Sequence, residues 1–140
     1  MEQDDYYQVD ALGTPFAGGE FNAGLIDLAR FGEFNGEQLF PKEAVKDIEK
    51  GGSKGAFAKS NHPKKKGWSY RNMWWMTENK NAAFAARGVH GQTICIDPTA
   101  EMVIIRIASH PIAAKAANDA TSLPAYQAVA DYLMSVHKIR

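Results

Sequence analysis

The sequence predicts an α+β domain in which an antiparallel sheet has helices against its faces. Extended apolar and aromatic segments occupy the middle of the chain, between residues 69 and 108. Helical patterns precede and follow these segments, and this grouping is typical of an α+β layer structure. With 140 residues and 45% hydrophobic content, the chain has the size of one domain, and we assign residues 1–140 to it.

The N-terminal segment is predicted as a loop followed by a helix. The first twenty residues are rich in glycine and aromatic residues and show no sustained period. Asn22 then provides a cap for a helix whose apolar face is Leu25, Leu28 and Ala29, and Gly32 provides its C-terminal stop.

A tight turn and a second helix follow. Asn35-Gly36 is typical of a turn. Pro41 suits the first position of a helix that continues through Val45 and Ile48 and ends at Gly51-Gly52.

Residues 51–67 are polar and predict a mobile surface loop. The run Lys64-Lys65-Lys66 within it has two interpretations, a nucleic-acid patch or a solvated loop. The 16 basic and 16 acidic residues of the chain cancel, which favours the solvated loop and no nucleic-acid partner.

Four extended segments predict the strands of the sheet: residues 69–76, 83–89, 92–97 and 102–108. Pro98-Thr99-Ala100-Glu101 predicts the hairpin turn between the last two segments. The segment after this turn begins with an almost continuous apolar run, as expected for a central strand covered on both faces. Adjacent Trp74 and Trp75 should point to opposite faces, so at most one lines a cleft while the other enters the core.

Residues 122–136 predict a helix that covers the sheet. Ser122 is its candidate cap, Pro124 lies in its first turn, and an apolar stripe follows from Tyr126 to Met134. An interfacial membrane helix is the alternative, but the polar face is not basic. No apolar stretch is long enough to cross a bilayer, so we expect a soluble protein without a membrane partner, whose compartment the sequence leaves open.

Metal, cofactor and thiol chemistry find little support. The four histidines are scattered with no carboxylate or cysteine at ligand spacing, so we predict no metal site and no cofactor. The single cysteine, Cys95, lies in an apolar run and is interpreted as a buried small hydrophobe in preference to a reactive thiol.

Several pieces of the chain, in this order, resemble the C-terminal part of serine hydrolases related to class C β-lactamases, 6-aminohexanoate-dimer hydrolases and penicillin-binding proteins. They are Gly18 to Gly32 with Asp27-Leu28-Ala29-Arg30-Phe31-Gly32, Gly67 to Trp75, Phe84 to Gln92 with Gly88-Val89-His90-Gly91-Gln92, and Ile96-Asp97-Pro98. The resemblance implies the C-terminal portion of a β-lactamase/transpeptidase-like fold. It also implies a parent enzyme that cleaves a small-molecule amide or ester through an acyl-enzyme.

The resemblance assigns roles to the glycine-rich strand. Acyl transfer needs two N–H donors aimed at the developing oxyanion, and by resemblance the Val89 N–H on an edge strand is the second of them. Gly88 and Gly91 leave room for a substrate beside this strand. His90 either orients the substrate or leaving group or is a satisfied histidine at a sheet edge. Trp75 is the tryptophan assigned to substrate binding.

The segments that resemble the family do not include the one that carries its nucleophile. In this family a Ser-x-x-Lys motif carries the nucleophile and a Tyr-x-Asn motif follows it, and both are expected before Met1. Two lookalikes occur within the chain, Ser135 to Lys138 at the C-terminus and Tyr70 to Asn72 in the aromatic strand, and both are interpreted as structural.

We therefore expect an inactive C-terminal segment of a serine hydrolase. A strand edge and an apolar face left uncovered should give a homodimer or pairing with the missing N-terminal part. A non-catalytic binding or assembly module that retains part of the fold is the alternative.

Overall fold

The computed structural model describes residues 4–16, 19, 21–33, 41–60, 62, 65–113 and 119–137. The elements in chain order are β1 (Tyr6–Tyr7), β2 (Phe21–Asn22), α1 (Leu25–Gly32), α2 (Lys42–Glu49), α3 (Lys54–Ala58), β3 (Ser69–Arg71), β4 (Trp74–Met76), β5 (Phe84–Arg87), a 3₁₀ turn (Val89–Gly91), β6 (Thr93–Asp97), β7 (Met102–Arg106) and α4 (Asp119–His137). The predicted α+β class, an antiparallel sheet with flanking helices, is confirmed.

Strands β3 to β7 form one antiparallel sheet in chain order, β3-β4-β5-β6-β7. Each pair is joined by a short connection, which is the arrangement of a meander. The β6–β7 hairpin is the longest ladder, running from Thr93 opposite Arg106 to Asp97 opposite Met102. Its turn at residues 98–101 lies where the sequence predicted it.

One face of the sheet packs against α1 and α2. Trp74, Met76, Phe84 and Ile96 are buried there, and Phe31 of α1 and Val45 and Ile48 of α2 lie against them. The rings of Trp74 and Phe84 meet edge to face at 5.1 Å between centroids, a favourable geometry for aromatic pairs.

The opposite face of the sheet packs against α4. Ala100 and Met102 are buried against Ala130, with Ile104 and Leu133 beside them. The last helix therefore covers the sheet as predicted, and the domain has three layers, α1 and α2, the sheet, and α4.

The predicted strand 69–76 is wrong as a single element. Asn72 and Met73 have φ values of 48° and 70° and connect β3 to β4 as a two-residue hairpin loop, with Arg71 opposite Trp74. Such loops need positive φ at both central residues, which asparagine tolerates. The Asn72 side chain donates to Asp47 Oδ2 of α2 at 2.9 Å, which helps to hold the loop in place.

The predicted strand 83–89 also ends early, because its glycine-rich end folds into the 3₁₀ turn at Val89–Gly91. This strand was expected at a sheet edge, yet β5 lies between β4 and β6. Strand β4 pairs with Phe84 and Ala85 of β5, so among the described residues the last two residues of β5 have a neighbouring strand on one side only. The predicted strands 92–97 and 102–108 start or stop within two residues of β6 and β7. The expectation that the second of them is a central strand is wrong, because β7 is the last strand of the described sheet; its apolar residues are covered by helices on the two faces.

Three other local predictions are wrong. Residues of the expected N-terminal loop form β1, which pairs with β2. Asn22 belongs to β2, and Gly24 precedes α1 in extended conformation without a side-chain cap. The expected mobile loop 51–67 contains α3, which is capped by the Ser53 hydroxyl accepting from the Ala56 N–H at 3.1 Å.

The ends of the other helices differ slightly from expectation. Helix α2 begins after Pro41, which occupies the N-cap instead of the first helical position. Helix α4 begins at Asp119, so Ser122 is not its cap and Pro124 lies inside the helix. The predicted turn at Asn35-Gly36 and Lys64 of the lysine run lie outside the described residues.

Candidate active site

The glycine-rich segment forms a compact turn at the C-terminal end of β5. Gly88 is extended, with φ −98° and ψ 175°, and the 3₁₀ turn begins directly after it. The Gly88 N–H donates to the Gln92 carbonyl at 3.0 Å, and the Gln92 N–H donates to the Val89 carbonyl at 3.3 Å. The chain thus closes on itself over five residues, and four of the predicted site residues, Gly88 to Gly91, lie together.

Val89 occupies the first position of this turn, where the N–H of a helix has no partner within the helix. Among the described residues the structure gives the Val89 N–H no hydrogen-bond acceptor. The Val89 residue is 61% exposed. An unused backbone donor at an exposed turn is able to bind an oxygen atom from outside the domain.

His90 is held by three hydrogen bonds to the segment that follows β7. Its N–H donates to the Ala113 carbonyl at 2.8 Å, and its carbonyl accepts from the His110 N–H at 3.0 Å. Its Nδ1 lies 2.6 Å from the His110 carbonyl oxygen. Since a carbonyl only accepts, Nδ1 carries the proton, and in the neutral ring Nε2 keeps its lone pair.

Gln92 fastens the other end of the turn. Its side-chain Nε2 donates to the Ala108 carbonyl at 2.5 Å, and its Oε1 accepts from the Ala108 N–H at 3.0 Å. The side-chain amide therefore pairs with the backbone of residue 108 as a neighbouring strand would, and continues the sheet ladder beyond its last backbone pair.

The imidazole of His110 closes over Gly91. A Cβ atom at Gly91 would lie 2.3 Å from His110 Cδ2, and the φ of Gly91 is +94°, so no other residue fits without displacement. Arg106 Nη2 lies 2.6 Å from His110 Nε2, and Arg106 Nη1 donates to the Ser122 hydroxyl of α4 at 2.6 Å. The turn is thus connected to α4 through His110 and Arg106.

Trp75 belongs to an aromatic cluster and is not part of the turn. Trp74 and Trp75 point to opposite faces as predicted, Trp74 into the core and Trp75 toward Phe57, His62 and Tyr70. The Arg87 guanidinium lies 5.8 Å from the Trp75 ring centroid. Since Arg87 directly precedes Gly88, this cation–π contact is the connection between Trp75 and the turn.

The two motif lookalikes are engaged in structural contacts. Ser135 lies near the end of α4, where its hydroxyl donates to the Tyr132 carbonyl at 2.6 Å, and Lys138 of that motif lies outside the described residues. Tyr70 precedes the β3–β4 loop, and its hydroxyl lies 3.5 Å from Met73 Sδ. Among the described residues, neither the Ser135 nor the Tyr70 hydroxyl has a lysine or another base as its hydrogen-bond partner.

Asp27 of the Asp27-Leu28-Ala29-Arg30-Phe31-Gly32 segment is also structural. The residue is 2% exposed, and its Oδ1 pairs with Arg30 Nη1 at 3.0 Å on the next turn of α1. Gly32 ends this helix against β7, where its hydrogen faces Val103. This segment therefore fixes a helix to the sheet.

In the described part of the chain, two side chains have strongly shifted pKa values, and neither belongs to the turn. Arg71 donates to both carboxylate oxygens of Asp47, at 2.7 and 3.0 Å, and these bonds, followed by the one from Asn72, hold the pKa of Asp47 well below its ordinary value. Burial raises the pKa of the Cys95 thiol to about 12. Cys95 is 4% exposed, which confirms its interpretation as a buried small side chain.

A cavity of about 120 Å³ lies between the sheet and α4. It is lined by Trp68, Cys95, Met102 and Tyr126, among others, and the buried Tyr126 hydroxyl has no hydrogen-bond partner among the described residues.

Within the described part of the chain, no group of three or more histidine, cysteine or carboxylate side chains is placed to hold a metal ion. None of the described helices is both long and apolar enough to span a membrane.

The sequence analysis missed His110, Arg106 and the pairing of Gln92. A signal was present in the predicted hairpin. Continuing the register of Thr93 opposite Arg106 outward by four residues places Val89 opposite His110. The turn at residues 98–101 therefore brings the two histidines together, although twenty residues separate them in the chain.

Comparison with known proteins identifies the family. The chain is 30% identical over 121 residues to a 6-aminohexanoate-dimer hydrolase of Paenarthrobacter ureafaciens, and the match covers 79% of this chain and 30% of that protein. Its structure matches that of a provisionally named 6-aminohexanoate-dimer hydrolase of Bacillus anthracis with a TM-score of 0.79 and 32% identity, over 96% of this chain and 35% of that one. The chain belongs to the β-lactamase-like serine hydrolase family. It spans about a third of the length of these two relatives, and no family model matches it.

Proposed function

We propose that this chain is the C-terminal segment of a serine hydrolase that cleaves amide or ester bonds, with the Val89 N–H as one of two donors to the oxyanion. The observation that carries the proposal is the unused, exposed Val89 N–H on a turn in which the N–H groups of Gly88, His90 and Gln92 are all bonded. Relatives named as 6-aminohexanoate-dimer hydrolases support a linear amide as the substrate class.

The proposed chemistry divides between this chain and a nucleophile outside the described residues. When a serine attacks the substrate carbonyl, negative charge develops on its oxygen, and a fixed N–H dipole stabilises that charge more than it stabilises the neutral ground state. The space beside Gly88 and Gly91, expected from the sequence to admit a substrate, is filled by the side chains of Gln92 and His110, so these glycines let the turn close. His90 Nε2 is the ring atom left to accept a hydrogen bond from the substrate or leaving group, since Nδ1 is bonded to His110.

A chimera tests the proposal. Residues 4–137 replace the aligned third of the Paenarthrobacter ureafaciens relative, and release of 6-aminohexanoate from the linear dimer is measured. We expect turnover by the chimera and none by the isolated chain, because Ser135 is engaged at the end of α4. A folded chimera without turnover would contradict the proposal, as would turnover by the isolated chain.

Val89→Pro removes the proposed donor with little other change. Gly88 is extended, a conformation that proline accepts in the residue before it, and proline suits the first position of a helical turn. Losing one oxyanion donor lowers kcat by about 10²–10³-fold, so Val89→Pro should do so in the chimera. Val89→Ala keeps the N–H and is the matched control, with kcat within about threefold of the parent.

We also propose that the isolated chain associates, either as a homodimer or with the remainder of a longer hydrolase. Strand β7 ends the described sheet with a free edge, and unpaired edges recruit other strands. Large apolar residues of the N-terminal part are exposed as well: Tyr6, Leu12, Phe16 and Ile26. Light scattering should give twice the chain mass, and a monomer at micromolar concentration would refute self-association.

A further inference from the structure

Two residues of the candidate turn have left-handed backbone conformations. His90 has a φ of 56° and Gly91 a φ of 94°. For a histidine this region is sparsely populated, and such conformations persist when surrounding structure holds them. The hydrogen bonds within the turn involve Gly88, Val89 and Gln92 and leave His90 to be fixed from outside.

The outside support comes from the segment that follows β7. His110 contributes its N–H and its carbonyl to His90, and Ala113 accepts from the His90 N–H. The His110 ring itself lies against the face of Gly91. Both backbone groups and the side chain of His90 are therefore bonded to residues 110–113.

Arg106 holds the His110 ring in that position. Its guanidinium has no acceptor atom, so the 2.6 Å contact is a donation from Arg106 Nη2 to the lone pair of His110 Nε2. The other arm of the guanidinium is bonded to Ser122 of α4. Arg106 at the end of β7 thus holds the His110 ring and is itself bonded to α4. The ring therefore limits the movement of the turn.

We propose that His110 is a positioning residue that sets the direction of the Val89 N–H without touching the substrate, an inference that rests on the proposed function of that N–H. Oxyanion donors act only when they point at the place where charge develops. A displacement of about 1 Å in such a group can cost about 10²-fold in rate. Removing the His110 ring frees Gly91 and therefore the residue two positions before it.

The test in the chimera is a double-mutant cycle. His110→Ala should lower kcat by about tenfold to a hundredfold, with KM within about twofold, since ground-state binding is untouched. His110→Gln places an amide oxygen near the position of Nε2, still accepts from Arg106, and should recover most of the rate. In the Val89→Pro background, His110→Ala should have little further effect, because both changes remove the same interaction. A full additional loss in that background overturns the proposal.

A measurement on the isolated 140-residue chain separates this inference from the proposed function. Amide hydrogen exchange at His90, which donates to Ala113, should accelerate by roughly tenfold in His110→Ala and stay unchanged in His110→Gln. The core amide of Ile96 serves as the control for global stability. If Ile96 also exchanges faster, Arg106→Met, which keeps the ring and removes its donor, gives the same comparison without a cavity.

The outcomes distinguish the two ideas. An inactive chimera with accelerated His90 exchange refutes the proposed function and leaves His110 as the support of the turn. A chimera that is sensitive to Val89→Pro but insensitive to His110→Ala refutes the positioning role alone. Unchanged His90 exchange in both His110→Ala and Arg106→Met refutes it as well.

Discussion

Replacing Gly91 by alanine tests the packing of the candidate turn directly. At φ +94° an alanine is strained, and its Cβ would lie 2.3 Å from His110 Cδ2, 2.7 Å from His110 Nε2 and 3.3 Å from the Ala108 Cβ. Normal contact between carbon atoms is about 3.5–4.0 Å, so the His110 ring must move by about 1 Å or more. Such a movement breaks its hydrogen bond to Arg106.

The expected cost has two parts. Left-handed backbone at a residue with a Cβ costs about 1–2 kcal/mol, and overpacking a well-fitted site costs about 1–3 kcal/mol more. Gly91→Ala should therefore lower the free energy of unfolding by about 2–5 kcal/mol. Gly13 is a matched control, since its φ is +81° and a Cβ placed on it would have no atom within 4 Å, so Gly13→Ala carries the first part alone.

Urea denaturation followed by tryptophan fluorescence measures both variants against the parent. In the His110→Ala background the ring is gone, and Gly91→Ala should then cost no more than Gly13→Ala does in the parent. Equal costs for Gly91→Ala and Gly13→Ala in the parent would refute the close packing of His110 on Gly91, and with it the connection from Arg106 to the turn.

Three further predictions concern the scaffold. Phe84 is fully buried, and Phe84→Ala should cost about 3–5 kcal/mol of unfolding free energy, while Tyr132→Ala at a 68% exposed position should cost under about 1 kcal/mol; equal effects in urea denaturation would refute the assignment of the core. Because burial raises the pKa of Cys95 to about 12, a thiol reagent at pH 8 should label it only after unfolding, and rapid labelling of the folded chain would contradict its burial. Arg71 lowers the pKa of Asp47, so this carboxylate stabilises the fold above its unfolded pKa of about 3.9, and the stabilisation is lost as the pH falls below that value. Asp47→Asn should therefore have a lower Tm than the parent at pH 7, and its Tm should decrease less than that of the parent below pH 4. Equal decreases in Tm for the two proteins below pH 4 would contradict the pairing.

Patterns of side-chain alternation and length predicted the layers of this fold. The apolar run after the Pro98 turn correctly indicated a strand covered on both faces, but not its place at the end of the described sheet. Adjacent Trp74 and Trp75 point to opposite faces, as they must on a strand. The last helix was predicted because its apolar stripe has a helical period over about two and a half turns. These signals depend on many residues at once, so one exceptional position does not erase them.

The elements that were missed depend on single contacts. The aromatic run 69–76 contains no glycine that would mark Asn72-Met73 as a loop. The loop is held instead by the contact of Asn72 with α2. Helix α3 has five residues, too few for a period to be visible, and depends on its Ser53 cap and on Phe57 packing against Trp75. The resemblance predicted Val89 and His90 as residues of the candidate site. Placing His110 beside them requires the register of the sheet, which depends on pairing between residues far apart in the chain.

The pairing of Gln92 with Ala108 has a consequence for how the chain avoids misfolding. Slipping β7 by one residue along β6 would send every side chain of β7 to the wrong face of the sheet. The hairpin is fixed at its closed end, where Asp97 Oδ1 accepts from the Ala100 N–H at 3.0 Å, and at its open end by the two hydrogen bonds of Gln92. A slipped register loses the open-end bonds together with the apolar match, so the same amide that steadies the turn also discriminates the native strand alignment from its nearest competitors.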